Sequence, residues 1–425
     1  MINTVFVLIL SGFLVRGTAE KFRKFSLPIA KMERILPSFP NQYEGIQRPL
    51  SKHTYPKLYA LINDESSTSR GYPSQNFVFY TTNLSIGTPP QPFRTIIDLN
   101  WSDLFLPSST CESASSRWCN PSNATYNASA SFTYRDNGTI TRIAYGPVYA
   151  YPRLSEDILT FADGLQVPGQ VFHEIKYYEK QYGEFGAEYF DGVLGLAINK
   201  PWLPGGQGEL NILPSPFRNM IDHNVLDSNM FSIVWPTEAR EHGNLMFGGY
   251  DEDLLDGELV SHSLFPENTT KWQIEIEGVS MVGSTDGEGK KFLVDNPIPD
   301  GRAFFMSSVQ FLAFSYYLTE SLMRYMPNWP SACYRFRVVD CDKVSSFPEF
   351  VFRFKGQNVT LRGEDYVRRL PTLKNCPSFG DECHLMLDYL GEIEDLVILG
   401  MPFLEKLMGV WNWDEKTISF GELKE

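Results

Sequence analysis

The chain has 425 residues, 43% of them apolar and 21% charged, with a formal net charge of −14. That composition supports a large core and excludes global disorder, and the excess of carboxylates argues against nucleic acid as the main partner. Six Cys in 425 residues are too few for a disulfide-stapled mini-protein.

The first element is an apolar run from Val5 to Val15, broken only by Ser11 and Gly12 and followed by the small residues Gly17-Thr18-Ala19. It reads as a secretory signal over 1–19, which sends the chain along an oxidising route where Cys residues can pair. No later stretch approaches the length of apolar sequence needed to span a membrane. Residues 20–72 are basic, with nine Lys/Arg against five Asp/Glu, whereas residues 73–425 carry 27 against 46. Such a leader reads as a propeptide drawn electrostatically to an acidic body and released when acid neutralises the carboxylates. Lys52 and Lys57 are its candidate partners for carboxylates. Phe25, Leu27, Ile29, Met32 and Ile35 give it an apolar side with which to pack. Glu65 to Gly71 is polar and contains glycine, as a cleavable linker would.

From Asn76 onward the pattern predicts short strands separated by Gly, Pro and Asn. Phe77–Tyr80, Phe93–Ile97, Gln170–Phe172, Phe231–Val234 and Trp272–Ile276 are rich in β-branched and aromatic residues. Helical periodicity is rare. It predicts one helix over Ser308–Arg324, with Leu312, Tyr316, Leu318 and Leu322 as its apolar positions. The fold class read from this is mostly β with a few short helices.

A repeat runs through the body. The apolar run Thr95-Ile96-Ile97 ends in Asp98, and Val193-Leu194-Gly195 follows 97 residues later. Phe292-Leu293-Val294 ends in Asp295, and Ile398-Leu399-Gly400 follows 105 residues later. Two lobes, each delivering one carboxylate to their junction, would supply what general acid–base hydrolysis needs. Two close carboxylates share a proton, and one acts as acid while the other acts as base on a water.

These segments resemble the pepsin-like aspartic peptidase family. The likeness rests on Ser85-Ile86-Gly87-Thr88-Pro89-Pro90-Gln91, on Asp98 to Ser108, on Phe190-Asp191-Gly192-Val193-Leu194-Gly195-Leu196-Ala197, on Phe247-Gly248-Gly249-Tyr250-Asp251, on Trp272-Gln273-Ile274, and on Ile398-Leu399-Gly400 with Phe403. It covers roughly residues 76–425. The resemblance implies a bilobal pepsin-like fold of two β-barrel-like lobes, 73–235 and 236–425, around a long peptide-binding cleft. It further implies a monomer with no metal and no cofactor, whose partners are its own propeptide and a peptide or protein in the cleft.

The active-site wording departs from the family. Asp98-Leu99-Asn100 stands for Asp-Thr-Gly, so the Thr hydroxyl that ties the two active-site loops together in the family becomes an apolar side chain, and bulky Trp101 follows. For the second acid two registers stay open. Asp295 has the apolar approach but is followed by Asn296-Pro297. Asp300 lies at the right distance before Phe305-Met306 but is followed by Gly301-Arg302. By the same resemblance Tyr145 and Gly146 form the flap that closes over substrate, with Pro147 and Pro152 stiffening it. Sequons at Asn83, Asn123, Asn127, Asn137, Asn268 and Asn358 are candidate glycosylation sites. Asn100 also begins one, but the resemblance puts it inside the cleft. No pair among the six His has metal-ligand spacing. Cys111 and Cys119 close a local loop after the first active-site strand. The family has one bridge in the later region, which implies Cys341–Cys383 and leaves Cys333–Cys376 as an addition. Three functions stay open: a homologue with catalysis lost or weakened and its cleft kept for binding, an active acid endopeptidase using Asp98 with Asp295 or Asp300, and a secreted interaction protein with a closed cleft.

Overall fold

Strands whose side chains alternate in burial, such as Gly243–Phe247 and Glu349–Phe354, and strands buried on both faces, such as Gly192–Gly195 and Leu396–Leu399, make this chain a protein of sheets. The computed structural model describes residues 24–33, 78–112, 119, 124–145, 148–161, 164–178, 190–198, 213–267, 269, 271–283, 291–331, 336–370 and 382–424. Its strands form sheets of fourteen, seven and four strands. The segments predicted as strands are strands, except that Phe77 lies outside the described residues and Trp272 stands just ahead of its strand. Phe79 and Tyr80 lie in Val78–Ile86 (β2), and Phe93–Ile97 lies in Gln91–Asp98 (β3). Gln170–Phe172, Phe231–Val234 and Ile274–Ile276 lie inside Gln166–Tyr178, Met230–Val234 and Gln273–Gly283.

The basic N-terminal segment packs into the fold. Phe25–Glu33 (β1) is an interior strand of the largest sheet. Its first half pairs with Gly243–Phe247 and its second half with β2. Phe25, Leu27 and Ile29 are buried in the main core. The proposed signal over 1–19, the partners Lys52 and Lys57, and the linker at 65–71 lie outside the described residues.

The predicted helix Ser308–Arg324 is shorter than expected. Only Tyr316–Met323 is helical, opened by the Ser315 side chain accepting from Leu318 N–H. Leu312–Phe314, ahead of it, is a fully buried strand laid between Leu387–Tyr389 and Leu396–Leu399. Its three apolar residues satisfy a strand buried on both faces as well as they satisfy a helix, and the open sheet position decides the outcome.

The bilobal fold carries an internal two-fold relation, and strand register defines it. In the first lobe β3 runs parallel to Gly192–Gly195, with Ile97 opposite Leu194. The chain then returns so that Leu104, at the start of Leu104–Glu112 (β4), also faces Leu194. In the second lobe Lys291–Phe305 runs parallel to Leu396–Leu399, with Phe305 opposite Leu399, and Leu312 returns to face the same Leu399. Each loop takes seven residues from one pairing to the other. Residue by residue, Asp98, Leu99 and Asn100 therefore correspond to Met306, Ser307 and Ser308.

Candidate active site

Parallel pairing with Gly192–Gly195 fixes the end of β3, and the Asp98 carbonyl accepts Leu196 N–H at 2.8 Å. The Asp98 carboxylate is thereby held in the interior, 2% exposed. Its Oδ1 accepts Asn100 N–H at 2.7 Å and its Oδ2 accepts the Tyr145 hydroxyl at 2.8 Å. Burial pushes its pKa above the ordinary Asp range, and the Asn100 N–H, Tyr145 hydroxyl and Trp101 N–H pull it part of the way back. Tyr145 ends the short strand Ile143–Tyr145, which pairs with the strand beginning at Val148. Its ring meets Trp101 edge-on at 5.3 Å and Phe105 at 5.2 Å. Tyr145 is thus fastened to the acid itself. Trp101 and Leu99 are buried with it, at 3% and 1% exposure. Gly146 lies outside the described residues.

At the position corresponding to Asp98, the second lobe presents Met306. It is 1% exposed and sits in an apolar cluster with Phe304, Val309, Ala313, Leu390, Leu396 and Ile398. Its N–H donates to the Leu399 carbonyl at 3.0 Å. The next residue keeps the hydroxyl that ties the loops: Ser307 Oγ accepts Leu99 N–H at 2.9 Å and donates to the Ile97 carbonyl at 3.1 Å. Symmetry would ask residue 99 for the reciprocal bond to the Phe305 carbonyl, which a leucine cannot make. Asn100 makes it instead, with Nδ2 donating to that carbonyl at 3.0 Å, while the Ser308 hydroxyl lies 3.5 Å from Asn100 Oδ1. The grip between the loops survives with its parts redistributed.

The structure does not bring Asp295 or Asp300 to Asp98, which corrects both registers read from the sequence. Asp295 faces Ser280 in the hairpin of Gln273–Gly283 with Lys291–Phe305, accepts from Arg353 at 2.7 Å, and has a side chain 57% exposed. Asp300 is an exposed residue of the same long strand, at φ 51°. Arg302, read as a neighbour of the second acid, pairs with Asp395 at 2.6 Å. The physical reason is the length of the strand. It extends over 15 residues from Lys291 to Phe305, with an irregularity between Pro297 and Gly301, and the loop turns only after Phe305, past both carboxylates. The residues missed are Met306, Ser307 and Ser308. Their signal in the sequence is the apolar pair Phe304-Phe305 running into two hydroxyl residues.

The two glycines of the repeat flank these loops. A Cβ on Gly195 would lie 2.4 Å from the Trp101 carbonyl oxygen, and one on Gly400 would lie 2.1 Å from that of Phe311. Backbone passes too close at both places for any side chain. The bonds Cys111–Cys119 and Cys341–Cys383 are formed. Cys333 and Cys376 lie outside the described residues, as do Asn123 and Asn268. Asn83, Asn127, Asn137 and Asn358 are exposed, whereas the Asn100 amide is taken up at the lobe junction. Among the described residues no three His, Cys, Asp or Glu are grouped to hold a metal ion, and no helix is long and apolar enough to cross a membrane.

Comparison with known proteins agrees with this geometry. A family model described as eukaryotic aspartyl protease matches residues 79–423. Vacuolar aspartic protease of Candida albicans is 29% identical over 348 residues, covering 81% of this chain and 75% of the relative. Vacuolar protease A of Neurospora crassa is 27% identical over 385 residues, covering 90% and 88%. Pepsin F of Oryctolagus cuniculus is 25% identical over 372 residues, covering 85% and 87%. With two lobes, paired loops and a family match running from β2 to the last strand, the chain belongs to the eukaryotic aspartyl protease family.

Proposed function

We propose that this protein is a pepsin-family homologue of the secretory route that has lost peptide hydrolysis and keeps its bilobal cleft to bind a peptide or protein. One observation carries the reading: Met306 occupies the place of the second carboxylate. Shared-proton catalysis needs a base to take a proton from water and an acid to give one to the leaving amine. Asp98 is a single group, and a thioether neither donates nor holds a proton. Residues 1–19 serve as signal, 20–72 as leader, and 73–235 and 236–425 as the lobes. A chain that cannot hydrolyse peptides needs another protease to cut its leader, and relatives named as vacuolar enzymes are in keeping with passage through the secretory pathway.

Incubation with haemoglobin in acid, with and without a statine-type inhibitor, tests the loss of catalysis. No cleavage above background is expected, and Asp98→Ala should change nothing. Inhibitor-sensitive cleavage that disappears in Asp98→Ala would restore the active-endopeptidase reading. A second reading, a closed cleft and a role for another surface, is favoured by the bond from Tyr145 to Asp98 and the burial of Trp101 and Leu99. Photo-crosslinking with a random peptide pool separates the two: adducts near Asn100 and Ser308 support binding in the cleft, and adducts confined elsewhere support closure.

A further inference from the structure

β1 is built into the sheet. Phe25 to Ile29 pair with Phe247 to Gly243, and Ala30 to Glu33 pair with Thr81 to Val78, so the strand joins two neighbours that do not otherwise meet. The Phe25 ring stacks on Phe247 at 5.2 Å and leans on Phe161 at 5.5 Å. Thr82 Oγ1 donates to the Pro28 carbonyl at 2.9 Å. Phe25, Leu27 and Ile29 reach the core at alternate positions, and Leu27 is wholly buried. Removing the strand would leave two interior strand edges unpaired and three core positions empty.

No segment released by a cut in the linker can refill that place. A substitute needs large apolar side chains at three alternate positions. Residues 63–77 read Asn-Asp-Glu-Ser-Ser-Thr-Ser-Arg-Gly-Tyr-Pro-Ser-Gln-Asn-Phe, and no alternate triplet within them supplies more than one. Leu58, Ala60 and Ile62 come closest, but they lie on the leader's side of any cut between 65 and 71. The leader contains no Cys through which to stay attached.

We propose that β1 is a permanent strand of the functional protein, so that a chain cut in the linker is a non-covalent two-chain molecule whose leader stays seated between Gly243–Phe247 and β2. The holding groups are apolar side chains and backbone hydrogen bonds, which salt does not screen, in place of the charge attraction that the basic leader and acidic body suggest. This inference goes beyond the proposed function and does not depend on whether hydrolysis is lost.

The test replaces residues 66–70 of the full chain with a site for a sequence-specific protease. The protein is cut under native conditions and passed over a gel-filtration column in about 0.15 M and about 1 M NaCl, where the screening length falls from about 8 to about 3 Å. Mass spectrometry then reads the peak. Leader and body eluting together, one to one, in both salts is the expected result, with no exchange against an added labelled peptide of residues 20–40. Loss of the leader from a body that remains folded by circular dichroism would overturn the proposal. So would loss of the leader in high salt alone, which would make the attachment electrostatic. In a second variant, Leu27→Asp, the cut leader should dissociate. If that variant does not fold, the result on the otherwise unchanged chain still decides.

Discussion

Replacing Ser307 by Ala removes one oxygen and breaks the lobe junction at two points. Leu99 N–H loses its acceptor and the Ile97 carbonyl loses its donor. Ser307, Ile97 and Leu99 are all buried, so water does not reach the two orphaned groups. Each unsatisfied buried group costs about 1–3 kcal/mol, which puts Ser307→Ala at about 2–6 kcal/mol. Against the usual total of about 5–15 kcal/mol that is a large fraction. Urea unfolding, followed in parallel by tryptophan fluorescence and far-ultraviolet circular dichroism, should show the midpoint falling with an unchanged slope. Ser307→Thr keeps the hydroxyl and should stay near the parent. A Ser307→Ala protein within about 0.5 kcal/mol of the parent would refute the reasoning, because that is the range of substitutions that touch nothing.

Three further outcomes are expected. Restoring the first loop alone, with Leu99→Thr, Asn100→Gly and Trp101→Ser together, should leave acid proteolysis at background, because Met306 still supplies no second carboxylate; a statine-sensitive gain would count against that. Asp98 has its folded pKa raised by burial, so its ionisation costs stability as pH rises from the ordinary Asp value through the raised one. Asp98→Asn should therefore raise the melting temperature more at about pH 7 than at about pH 3, and an equal change at both would exclude a strained charge there. Burial pulls His384 down to about 4. The unfolded chain then takes up a proton near pH 6.5 that the folded one accepts only near 4, so stability falls by about 3 kcal/mol as pH drops through that window. His384→Gln should flatten that part of the pH–stability curve; an unchanged curve would mean the ring is charged in the fold.

The β-branched and aromatic runs of β2 and β3 and the apolar runs ending in Gly195 and Gly400 are plain in the sequence, because each is a local pattern. Asp98 was legible for the same reason: an apolar strand that ends in a carboxylate has little else to deliver. The second lobe is not, because the family resemblance asks for an acid there. Asp295 and Asp300 offered one, while Met306 continued an apolar run and announced nothing. Only the register of Phe305 against Leu399 shows where the loop begins. The helix misjudged at Ser308 has a similar cause, since Leu312 to Phe314 fits a buried strand or a helix and the neighbouring strands decide. The role of Asn100 depends on what stands across the junction, which no one-dimensional pattern contains.

The close backbone approaches at Gly195 and Gly400 bear on how such chains are recognised. Both glycines are demanded by a carbonyl oxygen little more than 2 Å from where a Cβ would sit, and that demand is the same whether or not an acid lies beside it. The wording shared most faithfully with working proteases is thus a record of steric clearance. A chain can satisfy every clearance, be gathered with the proteases on that account, and lack the pair of carboxylates that made the arrangement useful. Ser307 and Met306 are adjacent in sequence, yet Ser307 ties the two loops together while Met306 packs into the apolar cluster of its own lobe. In a frame of this kind the clearances that hold the backbone and the groups that could react are separate demands on the sequence.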